Sequence, residues 1–117
     1  MTLFDRGLSM LTRVAAQAAG VSATFCQDDQ TVDLMMVRGQ SSFTSEMGES
    51  FDTVDWICAA AELLLGGVPA LPLIGAVVQI PVPNGYEKYE VLKIPGRKPY
   101  SVDATRMLLR IHTKQVS

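Results

Sequence analysis

Few side chains in this sequence can move a proton, hold a metal or attack a carbonyl: its 117 residues contain one His, two Cys and 12 Asp or Glu. A Ser-His-Asp arrangement must use His112. On an extended strand its same-face neighbours are Arg110 and Lys114, and two cations at that spacing read as a wet or contact face. Zinc needs about four ligands at suitable spacing, and Cys26, Cys58 and His112 form no such pattern, so no metal is expected. There is no GxGxxG and no Walker sequence, and Gly66-Gly67 is more simply a turn, so no nucleotide or other cofactor is expected. Asp28-Asp29 are adjacent acids in a candidate hairpin turn, where they are usually solvated and not a catalytic dyad. Tyr86, Tyr89 and Tyr100 lie near Lys88, Lys93, Arg97 and Lys98, the composition of a single-strand nucleic-acid surface. Packing of the tyrosines in a core or hairpin carries more weight. The chain reads as non-enzymatic.

Charge placement is more informative than the net charge of −2, which supplies no overall basic field for nucleic acid or anionic membrane. Residues 28–62 hold eight acids (Asp28, Asp29, Asp33, Glu46, Glu49, Asp52, Asp55 and Glu62) and one base, Arg38. Residues 88–117 invert this, with Lys88, Lys93, Arg97, Lys98, Arg106, Arg110 and Lys114 against Glu90 and Asp103. Two readings stay open. The poles attract each other within one monomer, or they pair acid with base between copies, head to tail, closing into a ring where the rotation permits. In the second reading the candidate contact residues are Arg106, Arg110, His112 and Lys114 against Asp28, Asp29 and Asp33.

The elements that would position these residues follow from hydrophobic period. Residues 2–19 carry Leu3, Phe4, Leu8, Leu11, Val14, Ala15 and Ala18 at spacings of three and four, which predicts one amphipathic helix with Thr2 as N-cap and Gly20 at its end. Residues 21–26 and 31–38 predict a hairpin closed by Asp28, Asp29 and Gln30. Residues 39–50 are rich in Ser, Thr and Gly and predict a long flexible loop, with Phe43 and Met47 as its apolar anchors and Glu46 and Glu49 as its charges. Residues 51–61 admit a strand or a helix, with a strand to Ala59 favoured, Val54, Trp56 and Cys58 sharing one face. Residues 76–82 and 86–94 flank Pro83-Asn84-Gly85, a hairpin signal, because Asn and Gly both accept positive φ. Residues 105–115 form the last strand, with Met107, Leu109, Ile111 and Thr113 on one face and Arg106, Leu108, Arg110, His112 and Lys114 on the other. The fold class expected is mostly β: one domain over 1–117, the helix followed at 21–115 by a small barrel or sandwich of about six strands.

Cys26 and Cys58 read as buried small hydrophobes in a reducing compartment. Asp5, Arg6 and Arg13 interrupt the first twenty residues, and Gly66, Gly67, Pro69, Pro72, Gly75 and Pro81 interrupt the longest nearly uncharged run, so no signal peptide or membrane span is expected.

The C-terminal half, about residues 51–115, resembles the small head-tail connector proteins of tailed bacteriophages, the head-closure or head-tail joining group. The likeness is carried by Trp56, Gly66-Gly67 with Pro69, Pro72 with Gly75, Tyr89-Glu90-Val91, Pro99-Tyr100 and the closing Arg110-Ile111-His112-Thr113-Lys114. Ala76 follows Gly75 where relatives often have an acid, so no charge is carried over at that turn. The resemblance implies a homo-oligomeric ring that joins the portal or adaptor proteins of the head to the tail proteins, with genomic DNA passing through or stopping in its lumen. On that scheme the acidic 28–62 segment suits the lumen, and the 39–50 loop, with Phe43, Glu46, Met47 and Glu49, lines it or orders on docking against a neighbouring ring. It implies a virion protein made in the host cytoplasm, with no catalytic residues and no membrane. A tail terminator or a portal adaptor ring fits the same surfaces. Of another class is a small monomeric β-barrel that binds single-stranded nucleic acid or peptide, and an enzyme using His112 ranks third.

Overall fold

The computed structural model describes residues 20–117, which contain nine strands. The helix expected over 2–19 lies outside the described residues.

Strands β1 (Gly20–Gln27) and β2 (Gln30–Thr44) are joined by a two-residue turn in which Asp28 and Asp29 have φ of 51° and 62°. Both central residues are left-handed, the geometry whose twist matches that of the flanking strands, and Asp tolerates it better than most side chains. Strand β3 (Ser50–Ala59) returns beside β2 and ends in a 3-10 turn, Ala60–Glu62. The strand reading of this stretch therefore holds, with Trp56 and Cys58 buried on one face. A crossover follows, containing β4 (Leu64–Leu65) and β5 (Val68–Pro69) closed by Gly66-Gly67 at φ 60° and 78°. Then come β6 (Val77–Val82), β7 (Gly85–Val91), β8 (Tyr100–Val102) and β9 (Leu108–Gln115).

The main sheet runs β3-β2-β1-β6-β7-β9, and β9 pairs back onto β3 from Val54↔Thr113 to Ala59↔Leu108. Six strands thus close into a barrel, which removes the unpaired edges an open sheet would expose. β8 is an addition, paired with β9 from Tyr100↔Ile111 to Val102↔Leu109. Alternation sends Phe25, Met36, Trp56, Val78, Tyr89 and Ile111 into the barrel, with Trp56 and Tyr89 edge to face at 5.0 Å. Leu63 and Leu65 of the crossover are buried in the same cluster and stop one end of the barrel. Gln27 fastens that crossover: its amide donates to the Leu71 carbonyl (3.2 Å) and accepts from the Leu73 N–H (2.8 Å).

Three sequence expectations change. Residues 39–50 are not a flexible loop: β2 continues to Thr44, β3 starts at Ser50, and residues 45–49 form a tight turn. The polar composition there reflects strands that leave the barrel, not loss of strand pairing. The hairpin after β6 forms, but only Gly85 has a positive φ (141°), and the loop residues are Pro83 and Asn84. The last strand starts at Leu108 and not Thr105, because the Asp103 carboxylate accepts from the N–H groups of Met107 (2.9 Å) and Leu108 (3.2 Å) and turns the chain, with Arg106 at φ 61°. No helix among the described residues is long and apolar enough to cross a membrane.

Candidate interaction site

β2 meets β1 only as far as Gly20↔Val37, and β3 meets β9 only from Val54 onward. Beyond those points, among the described residues, β2 and β3 pair only with each other, out to Thr44↔Ser50, as a two-stranded arm. Isolated two-stranded ribbons are marginal in water, so an arm needs bracing. One face of this arm supplies it. Gly39, Ser41 and Phe43 on β2 lie opposite Asp55, Thr53 and Phe51 on β3, and β9 adds His112 opposite Asp55 and Arg110 two pairs further on, on the same face.

Asp55 is the centre of the brace, with no exposed surface. Its carboxylate accepts from Thr53 Oγ1 (2.6 Å), Arg110 Nη1 (2.7 Å), His112 Nδ1 (2.9 Å) and the Ser41 hydroxyl. A carboxylate only accepts, so the Nδ1 of His112 carries a proton in this arrangement. Burial by itself pushes the Asp55 carboxyl up, but the hydrogen bonds from His112, Ser41, Thr53 and Arg110 outweigh it and hold the group well below the usual carboxylate range. Gly39 makes room for this: a Cβ there would sit 3.2 Å from Arg110 Nη1 and 3.2 Å from Ile57 Cδ1, in the path by which the guanidinium reaches the acid. Aromatic packing continues the brace outward, with Phe43 stacked on Phe51 at 5.7 Å, His112 edge-on to Phe43 at 5.0 Å and Arg97 over the Phe43 ring at 5.5 Å.

The expectation that His112 lies on a wet face is corrected: it is 5% exposed. Residues 92–99 bulge out between β7 and β8 and clasp it, the Leu92 N–H donating to its carbonyl (3.0 Å) and its own N–H to the Pro99 carbonyl (2.9 Å). Ser41, His112 and Asp55 do meet, but the Ser41 hydroxyl is spent on the carboxylate and not aimed at the imidazole, so the set braces the arm and activates no nucleophile. Among the described residues no group of His, Cys, Asp and Glu could hold a metal.

The other expected site residues fall in separate places. Asp28 and Asp29 are exposed in their turn at the crossover end. Asp33 is exposed on β2 and accepts from Thr24 Oγ1 (2.7 Å). Lys114 is exposed opposite Glu90 in register, and Arg106 is exposed in the β8–β9 turn. Arg110 is joined to Asp55 in the same chain, so one acid-base pair of the two charge poles is internal. Glu46, Met47 and Glu49 are exposed at the tip of the arm, whereas Phe43 is packed and is no free anchor.

Asp55, Ser41 and Thr53 are the site residues that sequence reasoning missed. The available signal was Asp55 as an acid between apolar Val54 and Trp56 in a strand whose other face, Val54, Trp56 and Cys58, is apolar.

The fold and the site together define the class: a small closed six-stranded β-barrel with a projecting hairpin braced from within the chain. The model of a family described as phage head-tail joining protein matches residues 1–117, and the chain belongs to that family. No curated protein and no solved structure matches it.

Proposed function

We propose that the chain is a non-enzymatic structural protein of the bacteriophage neck, which assembles with copies of itself into a ring between the head and the tail. The whole-chain match to the head-tail joining family carries this reading. The architecture supports it, since the arm extends past the closed barrel with edge groups of β2 and β3 that meet no strand among the described residues, and such edges seek partners in assemblies. Portal or adaptor proteins on one side and tail proteins on the other are the further partners, and the virion is the location.

Genomic DNA would pass through the lumen without sequence-specific contacts. Each cation that meets a phosphate adds salt-dependent grip, so a sliding channel favours an acidic lining. Asp28, Asp29 and Asp33, all exposed, offer one. Arg106 and Lys114 remain outward cations available for subunit contacts.

The test is electron cryomicroscopy of particles whose copies of this chain carry a label at the C-terminus. Label in a ring at the junction of head and tail is the expected result. Particles that join heads to tails normally without the chain would overturn it.

A further inference from the structure

The turn at the end of the arm is rigidly built. The Gly48 N–H donates to the Ser45 carbonyl (2.9 Å), the Ser45 N–H donates to the Glu49 carbonyl (2.7 Å), and Gly48 takes φ 82°, the form of a hairpin loop that ends in a left-handed glycine. This frame projects Met47, which is 89% exposed and flanked by the exposed carboxylates of Glu46 and Glu49. A large apolar side chain held that far into water by an ordered turn is presented in a fixed position, free to enter an apolar pocket of a partner.

The opposite end of the barrel carries the complementary shape. Between the crossover and the β8–β9 turn lies a groove of about 850 Å³, within the usual range for pockets that accept side chains or ligands, about 300–1,000 Å³. Its apolar lining includes Pro69, Ala70, Leu71 and Val102, with Leu71 54% and Val102 39% exposed. Its rim carries the exposed cations Lys98 and Arg106. The Asp103 hydrogen bonds to Thr105, Met107 and Leu108 hold the turn that forms this rim.

We propose that the arm tip of one copy seats in this groove of a second copy, Met47 entering the apolar floor while Glu46 and Glu49 face Lys98 and Arg106. The proposal rests on the self-association argued above and gives it a contact. The occupant is a second copy because the chain's own tip cannot reach: β3 alone, Ser50–Ala59, separates the two features by about 30 Å at roughly 3.3 Å per residue. Tip and groove are different surfaces, so the contact is heterologous and closes into a ring when the rotation per subunit allows. The groove's two outward cations are opposite in sign to the two acids of the tip, and its one carboxylate, Asp103, is taken up by hydrogen bonds within the turn, which fixes orientation and steers encounter.

Charge exchange in the full chain tests it. Glu46→Lys with Glu49→Lys makes tip and groove both positive, and Lys98→Glu with Arg106→Glu makes both negative. Each double variant alone should associate at least about tenfold more weakly than the parent by light scattering, while an equimolar mixture of the two should recover assemblies of alternating composition. Unchanged melting temperatures show that both variants are folded. In a further chain carrying Met47→Cys and Val102→Cys, mild oxidation should give a ladder of cross-linked oligomers.

If the parent forms rings but the exchanges leave them intact, or if the mixture does not recover, the tip-groove contact is wrong while the ring reading stands. If only the groove variants weaken assembly, the groove takes another segment, such as residues 1–19 of a neighbour, and the proposal fails. A parent chain that never associates removes both readings.

Discussion

Asp55 shows what one residue can hold together. Removing its carboxylate leaves Arg110, His112, Ser41 and Thr53 around an empty acceptor position, and breaking such a buried ion pair typically costs about 3–5 kcal/mol. Asp55→Ala should lower stability by about that amount in urea titration. Arg110→Gln should cost less, because the Arg110 side chain is 38% exposed and water takes over part of its role. The pH dependence has a definite sign. The folded-state pKa of Asp55 is depressed, so its stabilisation is complete at neutral pH, begins to fade as pH drops through the unfolded value of about 3.9, and continues to fade toward the lower folded value. Acid titration of the parent should show this loss, and Asp55→Asn should show less of it. A second residue-scale expectation concerns Cys58, whose thiol is pushed up to about 12 by burial and then by Glu62. Its thiolate is scarce near neutral pH, so alkylation should reach Cys58 only in denaturant, whereas half-buried Cys26 reacts earlier. None of the Asp55 partnerships was legible in the sequence except as an acid in an apolar strand. Arg110 and His112 lie 55 and 57 positions away, and strand register, which no local pattern specifies, brings them together.

At the scale of elements, the sequence was legible wherever turn chemistry marked it. Asp28-Asp29, Gly66-Gly67 and the Pro83-Asn84-Gly85 stretch each form the turn their residue types indicate, and the structure adds that Gly66-Gly67 closes a short hairpin. It was misleading where polarity and strand coincide. Residues 39–44 and 50–53 are polar because the arm leaves the barrel and faces water on one side, and the alternation of Ser41 and Phe43 against Thr53 and Phe51 becomes visible only in the paired register. The three residues of β8 were too short a run to detect, and the Asp103 turn shortened β9 by local hydrogen bonding. The arm also makes its own prediction. Gly48 has φ 82° with open space around its Cβ position, so Gly48→Val should cost about 1–3 kcal/mol through backbone strain alone. Thermal denaturation measures this, and a variant as stable as the parent would mean that the turn is not held as described.

For the whole molecule, the two charge poles read from composition partly resolve within one chain, through Asp55 and Arg110, and partly remain outward. What remains outward is arranged by the barrel: acids and Met47 at the arm tip, and cations around the groove at the crossover end. The core that makes this possible lies inside the closed sheet, where Leu63 is fully buried as the stopper. Leu63→Ala should destabilise the barrel by about 2–5 kcal/mol and weaken assembly only as far as folding is lost. The proposed ring thus reduces physically to whether copies of a closed barrel dock through two different surfaces. The mass of the purified full chain in solution, measured by light scattering at low and at high salt, asks this most directly. A single species at an integer multiple of 12.7 kDa that loosens as salt screens its contacts is the predicted result, and a 12.7 kDa monomer under both conditions would contradict it.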